Sequence, residues 1–155
     1  MMEEKSTETY YPGDAASVPE IMELASAYHA AALTLFGDGA RGRTLNRAPA
    51  RLCSIHAVEL YLNAFLRSRG VPNCQIRARM HNLADEDFVA TLVLRQKTAR
   101  HLEAMTEKRE YLIARYGPEV ADRLTEITRM KATLGGVSKK TARVLSCCGA
   151  DIAAQ

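Results

Sequence analysis

Apolar positions recur at three- and four-residue steps along most of this chain, a pattern typical of amphipathic helices. The first helix is predicted to begin at Ser17, because Ser17 and Glu20 have the spacing of a capping box and Pro19 stands where an early helical turn needs no N–H. Its apolar stripe comprises Ile21, Leu24, Ala25, Tyr28, Ala32 and Leu35. A glycine-rich run that starts at Gly37 ends this helix.

The second helix is predicted from residues 47–49 to about Arg69, where Gly70 and Pro72 stop it. Its apolar positions cover more than one face, so we expect this helix at the centre of the fold. They are Leu52, Ile55, Val58, Leu62 and Phe65, flanked by Ala57, Leu60, Tyr61 and Ala64. The remaining polar side chains fall within about 80° of one another around the helix axis. These are His56, Glu59, Asn63 and Arg67, and they form either a solvent face or a polar seam at a partner surface.

A basic loop should then lead to a third helix that opens at Asn82, whose side chain can cap backbone N–H groups. A fourth helix is predicted over residues 98–116, and a fifth over residues 120–145 with a kink or break at Gly135-Gly136. No stretch shows the alternation of a strand. The expected fold is all-α, an up-and-down bundle of four to five helices over residues 17–146, with a mobile N-terminal arm (1–16) and a C-terminal tail (147–155).

The composition, with 47% hydrophobic and 25% charged residues among 155, is that of an ordinary soluble protein of one domain. No apolar run reaches the roughly 18 residues that span a bilayer, and the first residues are acidic, so we expect a cytoplasmic protein with no membrane association. The four cysteines (Cys53, Cys74, Cys147 and Cys148) have no metal-ligand spacing, and no Glu-x-x-His occurs for a di-metal centre. We therefore expect reduced thiols, no metal and no cofactor.

Charge is distributed unevenly along the chain. Residues 41–81 contain eight arginines and the single acid Glu59, whereas residues 1–24 contain six acids and one lysine. Arginine suits phosphate well, because its planar guanidinium donates several hydrogen bonds in a fixed geometry. The arginines therefore indicate an anionic partner. The alternative is that they are solvated, or pair with the acidic arm and with Asp85, Glu86 and Asp87.

The segment from Arg77 to Asn82 contains several of the residues that could bind an anion. If a helix begins at Asn82, its N–H groups and dipole point toward Arg77, Arg79 and His81, which predicts a phosphate site made of these four residues. A histidine there could act as acid or base near neutral pH. The alternative is that His81 packs against the loop and both arginines pair with the acids that follow.

The string IHAVELYLNAFLRSRGVP followed by HNLADE resembles the HEPN superfamily of small helical bundles. The matching positions are Ala57, Glu59, Leu62, Asn63, Ala64, Gly70, His81, Asn82 and Leu83, with Asn in place of the family's Lys and Asp. The resemblance implies a bundle of four or five helices, commonly dimeric. It also implies nucleotide binding, metal-independent RNase activity, a toxin–antitoxin component or an inert scaffold.

RNase members of that family carry an arginine and then a histidine with four to six residues between them, and this chain offers Arg51 with His56 and Arg95 with His101. In one continuous helix the first pair would lie about 140° apart. His56 could instead act as a base that Glu59 orients. Three hypotheses follow: a homodimeric module that binds RNA or a nucleotide through a basic surface, a toxin-like metal-independent RNase, and a structural partner of a nucleotidyltransferase.

Overall fold

The computed structural model describes residues 11–38 and 44–153 of the chain. Within these ranges the chain forms helices and turns, with no strand. The α-helices there are α1 (Val18–Asp38), α2 (Ala48–Ser68), α3 (Asn73–Ala78), α4 (Glu86–Leu92), α5 (Gln96–Lys108), α6 (Glu110–Tyr116) and α7 (Ile127–Ala153). Two 3-10 helices, Thr44–Arg47 and Pro118–Arg123, precede α2 and α7. The prediction of an all-α bundle is confirmed, and no helix in the described ranges is both long and apolar enough to cross a bilayer.

The start of α1 follows the predicted capping box. The backbone N–H of Ser17 donates to Glu20 Oε2 at 2.7 Å, and the N–H of Glu20 donates to Ser17 Oγ at 3.3 Å. These bonds satisfy donors that the first turn of a helix leaves without a partner. They also lower the pKa of the Glu20 carboxyl.

The centre of the bundle is α2, as predicted. It packs against α1 on one side and against α7 and α6 on the other, with α3 beside its end. Tyr61, Leu62 and Phe65 are among its fully buried side chains. The Tyr61 hydroxyl lies 3.0 Å from His29 Nδ1 of α1, so this buried phenol keeps a polar partner.

The connector after α2 differs from the predicted basic loop. A six-residue helix, α3, begins at Asn73 directly after Pro72, and the next helix starts at Glu86 rather than at Asn82. The Asn82 side chain accepts a hydrogen bond from the N–H of Ala84 at 2.9 Å and so closes a local turn. The prediction that Asn82 caps a helix is wrong. A helix of six residues is too short to show an apolar period, which is why α3 was not predicted.

The last helix, α7, is continuous through Gly135 and Gly136, where a kink or break was predicted, and extends to Ala153. A Cβ on Gly136 would lie 3.5 Å from Thr98 Oγ1, so α7 passes close to the first turn of α5 at this point. The fourth predicted helix is divided into α5 and α6 by Arg109, whose backbone is left-handed with φ of 55°.

Candidate functional site

Arg77 and Arg79, predicted to bind an anion, each contact a carboxylate of their own chain. Arg77 forms an ion pair with Asp14, and its guanidinium carbon lies 4.4 Å from the centre of the Tyr11 ring. Arg79 Nε lies 3.6 Å from Asp85 Oδ2. Arg79 therefore pairs with an acid that follows it, as the alternative interpretation of this segment proposed, whereas Arg77 pairs with Asp14 at the N-terminal side of the chain.

His81 is paired as well. Its Nδ1 lies 2.9 Å from Glu59 Oε2, and its ring stacks on Tyr111 with centroids 4.1 Å apart. Met80 and His81 both have a positive φ, 45° and 68°, which is unfavourable for side chains of their size. Since α4 begins only at Glu86, no helix end points at this turn from Asn82, and the dipole part of the predicted site is wrong.

Residues 11–14, called the strap below, lie across α2 and α3. Arg67 donates to the carbonyl oxygen of Gly13 at 3.0 Å and to that of Asp14, and Asn73 Nδ2 donates to the Asp14 carbonyl at 3.0 Å. The strap borders a cavity of about 750 Å³, called the strap cavity. The predicted polar stripe of α2 (His56, Glu59, Asn63 and Arg67) lines this cavity.

His56 and Arg51 do not meet. His56 packs edge-on against Tyr28, with ring centroids 4.4 Å apart, and burial lowers its pKa while Glu59 opposes that shift. Arg51 points to the other side of α2 and is 3% exposed. The predicted pair is therefore wrong, for the reason that their helical spacing indicated.

Arg51 instead shares a buried polar cluster with His101. Arg51 donates to the carbonyl oxygen of Thr125, and its Nη1 lies 3.8 Å from Oε2 of the fully buried Glu110. His101 places Nε2 2.7 Å from Thr125 Oγ1 and Nδ1 2.7 Å from Thr133 Oγ1. Burial, with Arg129 and Arg51 nearby, lowers the pKa of His101 to about 4. The imidazole is neutral at pH 7 and is only 5% exposed, so this cluster is a structural one.

Arg95, the predicted partner of His101, lies outside that cluster at the start of α5. It borders a groove of about 770 Å³ between the first turn of α5 and one face of α7. The groove is lined by seven basic side chains, namely Arg95, Lys97, Arg129, Lys131, Lys139, Lys140 and Arg143. In the part of the chain that the structure describes, no Asp, Glu or aromatic residue lines it. We call it the basic groove.

The cations of the basic groove are in no ion pair with a side chain that the structure describes. Over the described side chains of residues 11–37, 44–86 and 90–147, no carboxylate lies within ion-pair distance of any of the seven. Lys131 rests on the Phe36 ring at 5.0 Å, and Arg129 buries an Nε that has no hydrogen-bond partner among the described residues. The α5 N-terminus has no side-chain cap, so the N–H groups of Gln96, Lys97 and Thr98 face this region without helical acceptors.

The sequence analysis missed the α7 side of the basic groove. The signal was present: residues 127–150 contain Arg129, Lys131, Lys139, Lys140 and Arg143 and no acid. The arginine-rich stretch at 41–81 has the larger net charge, and the anion site was therefore predicted there. Four of its arginines (Arg51, Arg67, Arg77 and Arg79) contact acceptors of their own chain, whereas no cation of α7 is in an ion pair with a described side chain.

No protein-family model, curated protein or solved structure matches this chain. The resemblance to HEPN domains therefore stays a prediction. Among the described residues, no group of three or more His, Cys, Asp or Glu side chains is placed to hold a metal ion.

Proposed function

We propose that this protein binds nucleic acid, with RNA as its first candidate, through the backbone phosphates and in the basic groove. The observation that supports this is a set of seven lysines and arginines with no acidic side chain among the described residues that line the groove. A cluster of like charges destabilises a fold by self-repulsion, and a bound polyanion removes that repulsion. Phosphate is the natural ligand for such a set, because lysine and arginine both bind it strongly.

The extent of the groove favours a polymer over a single phosphate. From Arg129 to Arg143 the cations run along ~21 Å of α7, at about 1.5 Å per residue. Arg95 and Lys97 add charge from α5 on the opposite side. One nucleotide would contact only part of this surface, whereas a strand several nucleotides long would contact most of it.

The lining of the groove favours recognition of the backbone rather than of bases. Sequence-tolerant binding of single strands often uses aromatic rings on which bases stack, and none lines the groove among the described residues. Phosphate contacts position a nucleic acid without reading its sequence. We therefore expect weak sequence preference and strong dependence on salt. The resemblance to HEPN domains points to the same class of ligand, and the proposal does not depend on it.

The geometry favours binding without cleavage. An RNase needs its acid and base at the phosphodiester, within hydrogen-bond reach. His101 is buried between two threonine hydroxyls, and Arg51 and His56 lie on different sides of α2. Neither Arg–His pair predicted from the sequence is assembled, so no observation supports the RNase alternative at these residues.

The test is fluorescence anisotropy of a labelled 12-nucleotide RNA in EDTA at low salt. Wild-type protein should bind, and Lys139→Glu/Arg143→Glu should weaken affinity by at least about tenfold, because two phosphate contacts become repulsive. The matched control is Arg100→Glu/Arg123→Glu, which changes the net charge equally at exposed positions outside the groove. Equal losses in the two variants, or no binding by wild type, would contradict the proposal. Gel analysis of the same mixtures tests for cleavage, which we expect to be absent.

A further inference from the structure

The strap occupies a set of donors that is arranged as an anion site. Three side chains from two helices converge on two consecutive residues, Gly13 and Asp14. Arg67 binds both carbonyl oxygens, Asn73 binds one of them, and Arg77 binds the Asp14 carboxylate. All the acceptors are oxygens, so the strap provides what a carboxylate or phosphate group of a ligand would provide.

We infer that the strap cavity is a binding site for a small amphipathic anion, a carboxylate or phosphate group on an apolar body, whose head group displaces Asp14 from Arg67, Asn73 and Arg77. The strap is then an intramolecular competitor that releases these donors when a ligand enters. The site is separate from the basic groove, and the two share no lining residue.

The cavity has the dimensions and walls of such a site. Its volume of about 750 Å³ lies in the range of small-molecule pockets. Apolar side chains from α1, α2 and α3 form part of its wall, among them Leu24, Leu60 and Ile76. Leu24 at 49% and the neighbouring Met80 at 79% remain exposed, which is unfavourable in the absence of a partner for their apolar surface. An apolar ligand body would cover them.

The contacts that hold the strap are of the kind that a ligand can replace. Arg77 and Asp14 are 36% and 38% exposed, and ion pairs in that setting are weak because water screens them. Tyr11 is 53% exposed, and Pro12 and Gly13 are exposed as well. The strap is itself a compact turn, because the N–H of Asp14 donates to the Tyr11 carbonyl and the N–H of Ala16, just after the strap, donates to the Gly13 carbonyl, so it can lift as a unit.

The test compares three ligands by calorimetry on the full chain: octanoate, octyl phosphate and octanol. The variants are Asp14→Ala, which removes the competing carboxylate, and Asp122→Ala, which removes an exposed carboxylate elsewhere. Octanoate or octyl phosphate should bind wild type and should bind Asp14→Ala about two- to fivefold more tightly, because the ligand no longer competes with the exposed Asp14 carboxylate for Arg77, while the carbonyl contacts of Arg67 and Asn73 remain. Octanol should bind neither, and whichever anion binds more tightly identifies the head group.

A second variant tests the same proposal from the side of the donors. Arg67→Met/Arg77→Met should lose at least about tenfold in affinity for the preferred anion, because charge-assisted hydrogen bonds are lost. Circular dichroism reports whether that variant is folded, and Asp14→Ala decides alone if it is not. Octanol binding as tightly as octanoate, an Asp14→Ala affinity equal to that of Asp122→Ala, or no binding of either anion would each overturn the proposal.

Discussion

Arginines or lysines from neighbouring helices line both the basic groove and the strap cavity, but the two regions differ in whether these cations contact acceptors of their own chain. In the strap cavity each arginine faces an oxygen of the same chain: Arg77 faces the Asp14 carboxylate, and Arg67 faces two carbonyls. In the basic groove no described carboxylate comes within ion-pair distance of any of the seven cations. The cations of the strap cavity have partners within the chain, whereas for the cations of the basic groove we propose an external anionic ligand.

This difference shows why net charge along a sequence is a poor guide to a binding surface. Residues 41–81 have the larger excess of arginine, yet Arg51 is buried beside Glu110, and Arg67, Arg77 and Arg79 contact acceptors of their own chain. The cations that line the basic groove come from the start of α5 and from α7, and they border one groove. The three-dimensional position of the carboxylates decides which cations can bind a ligand.

The largest expected effect is on how the free energy of unfolding depends on pH. It is expected at His101, near the basic groove, and the comparison is with His56 of the strap cavity. Burial lowers the pKa of His101, and the nearby charge of Arg129 in the basic groove lowers it further, to about 4. The unfolded chain takes up this proton near pH 6.5, and the folded chain only near pH 4, so protons favour unfolding between these values. The free energy of unfolding should fall by up to about 3 kcal/mol over that window from this group alone.

Urea denaturation at pH 7, 5.5 and 4.5 measures this effect. His101→Gln should lose less stability on acidification than wild type does. His56→Gln should change the pH dependence less, because Glu59 offsets part of the shift in the pKa of His56. Parallel pH profiles for wild type and His101→Gln would show that His101 is not held neutral.

The next largest effect concerns RNA affinity. Arg77→Glu/Arg79→Glu reverses two cations outside the basic groove that already contact carboxylates, so we expect an affinity within about threefold of wild type at 0.15 M salt, where distant charges are screened. The groove variant Lys139→Glu/Arg143→Glu has the same charge change and should lose at least about tenfold. A larger loss of RNA affinity in Arg77→Glu/Arg79→Glu would indicate that RNA binds on the strap side of the molecule instead.

The smallest effect concerns stability, and its sign should differ between the regions. Arg77→Gln removes an exposed ion pair and a contact with the Tyr11 ring, and should lower the free energy of unfolding by about 0.5–1 kcal/mol. Lys139→Gln removes repulsion from Arg143, which lies four residues further along α7, and should raise the free energy of unfolding by about 0.2–0.5 kcal/mol. Thermal denaturation at low salt measures both changes, and destabilisation by Lys139→Gln would mean that this lysine has a partner.

Local sequence patterns predicted the bundle well where they extended over several turns. The capping box at Ser17 and Glu20 marked the start of α1, and the wide apolar surface around Leu62 marked α2 as the central helix. The polar stripe from His56 to Arg67 was also read correctly as one face, although it lines a cavity rather than a solvent or partner surface. Helical periodicity carries this information because it is local.

The candidate sites depended on contacts that are not local, and the sequence did not reveal them. Asp14 meets Arg77 across 63 residues, and Arg51 meets Thr125 across 74. Asn82 is a residue type that often caps helices, but here its side chain closes a turn, because α4 begins only four residues later, at Glu86. Pairing across such separations is set by packing, which no single-sequence pattern encodes.

The salt dependence of RNA binding tests the central claim most directly, namely that groove cations contact phosphates. The slope of log affinity against log salt should be about −2.8 to −3.5 for wild type, which corresponds to about four or five phosphate contacts on a single strand. Lys139→Gln/Arg143→Gln should make it shallower by about 1.4, at 0.7 per lost contact, while Arg77→Gln/Arg79→Gln should leave it unchanged. A groove variant with the wild-type slope would contradict the account.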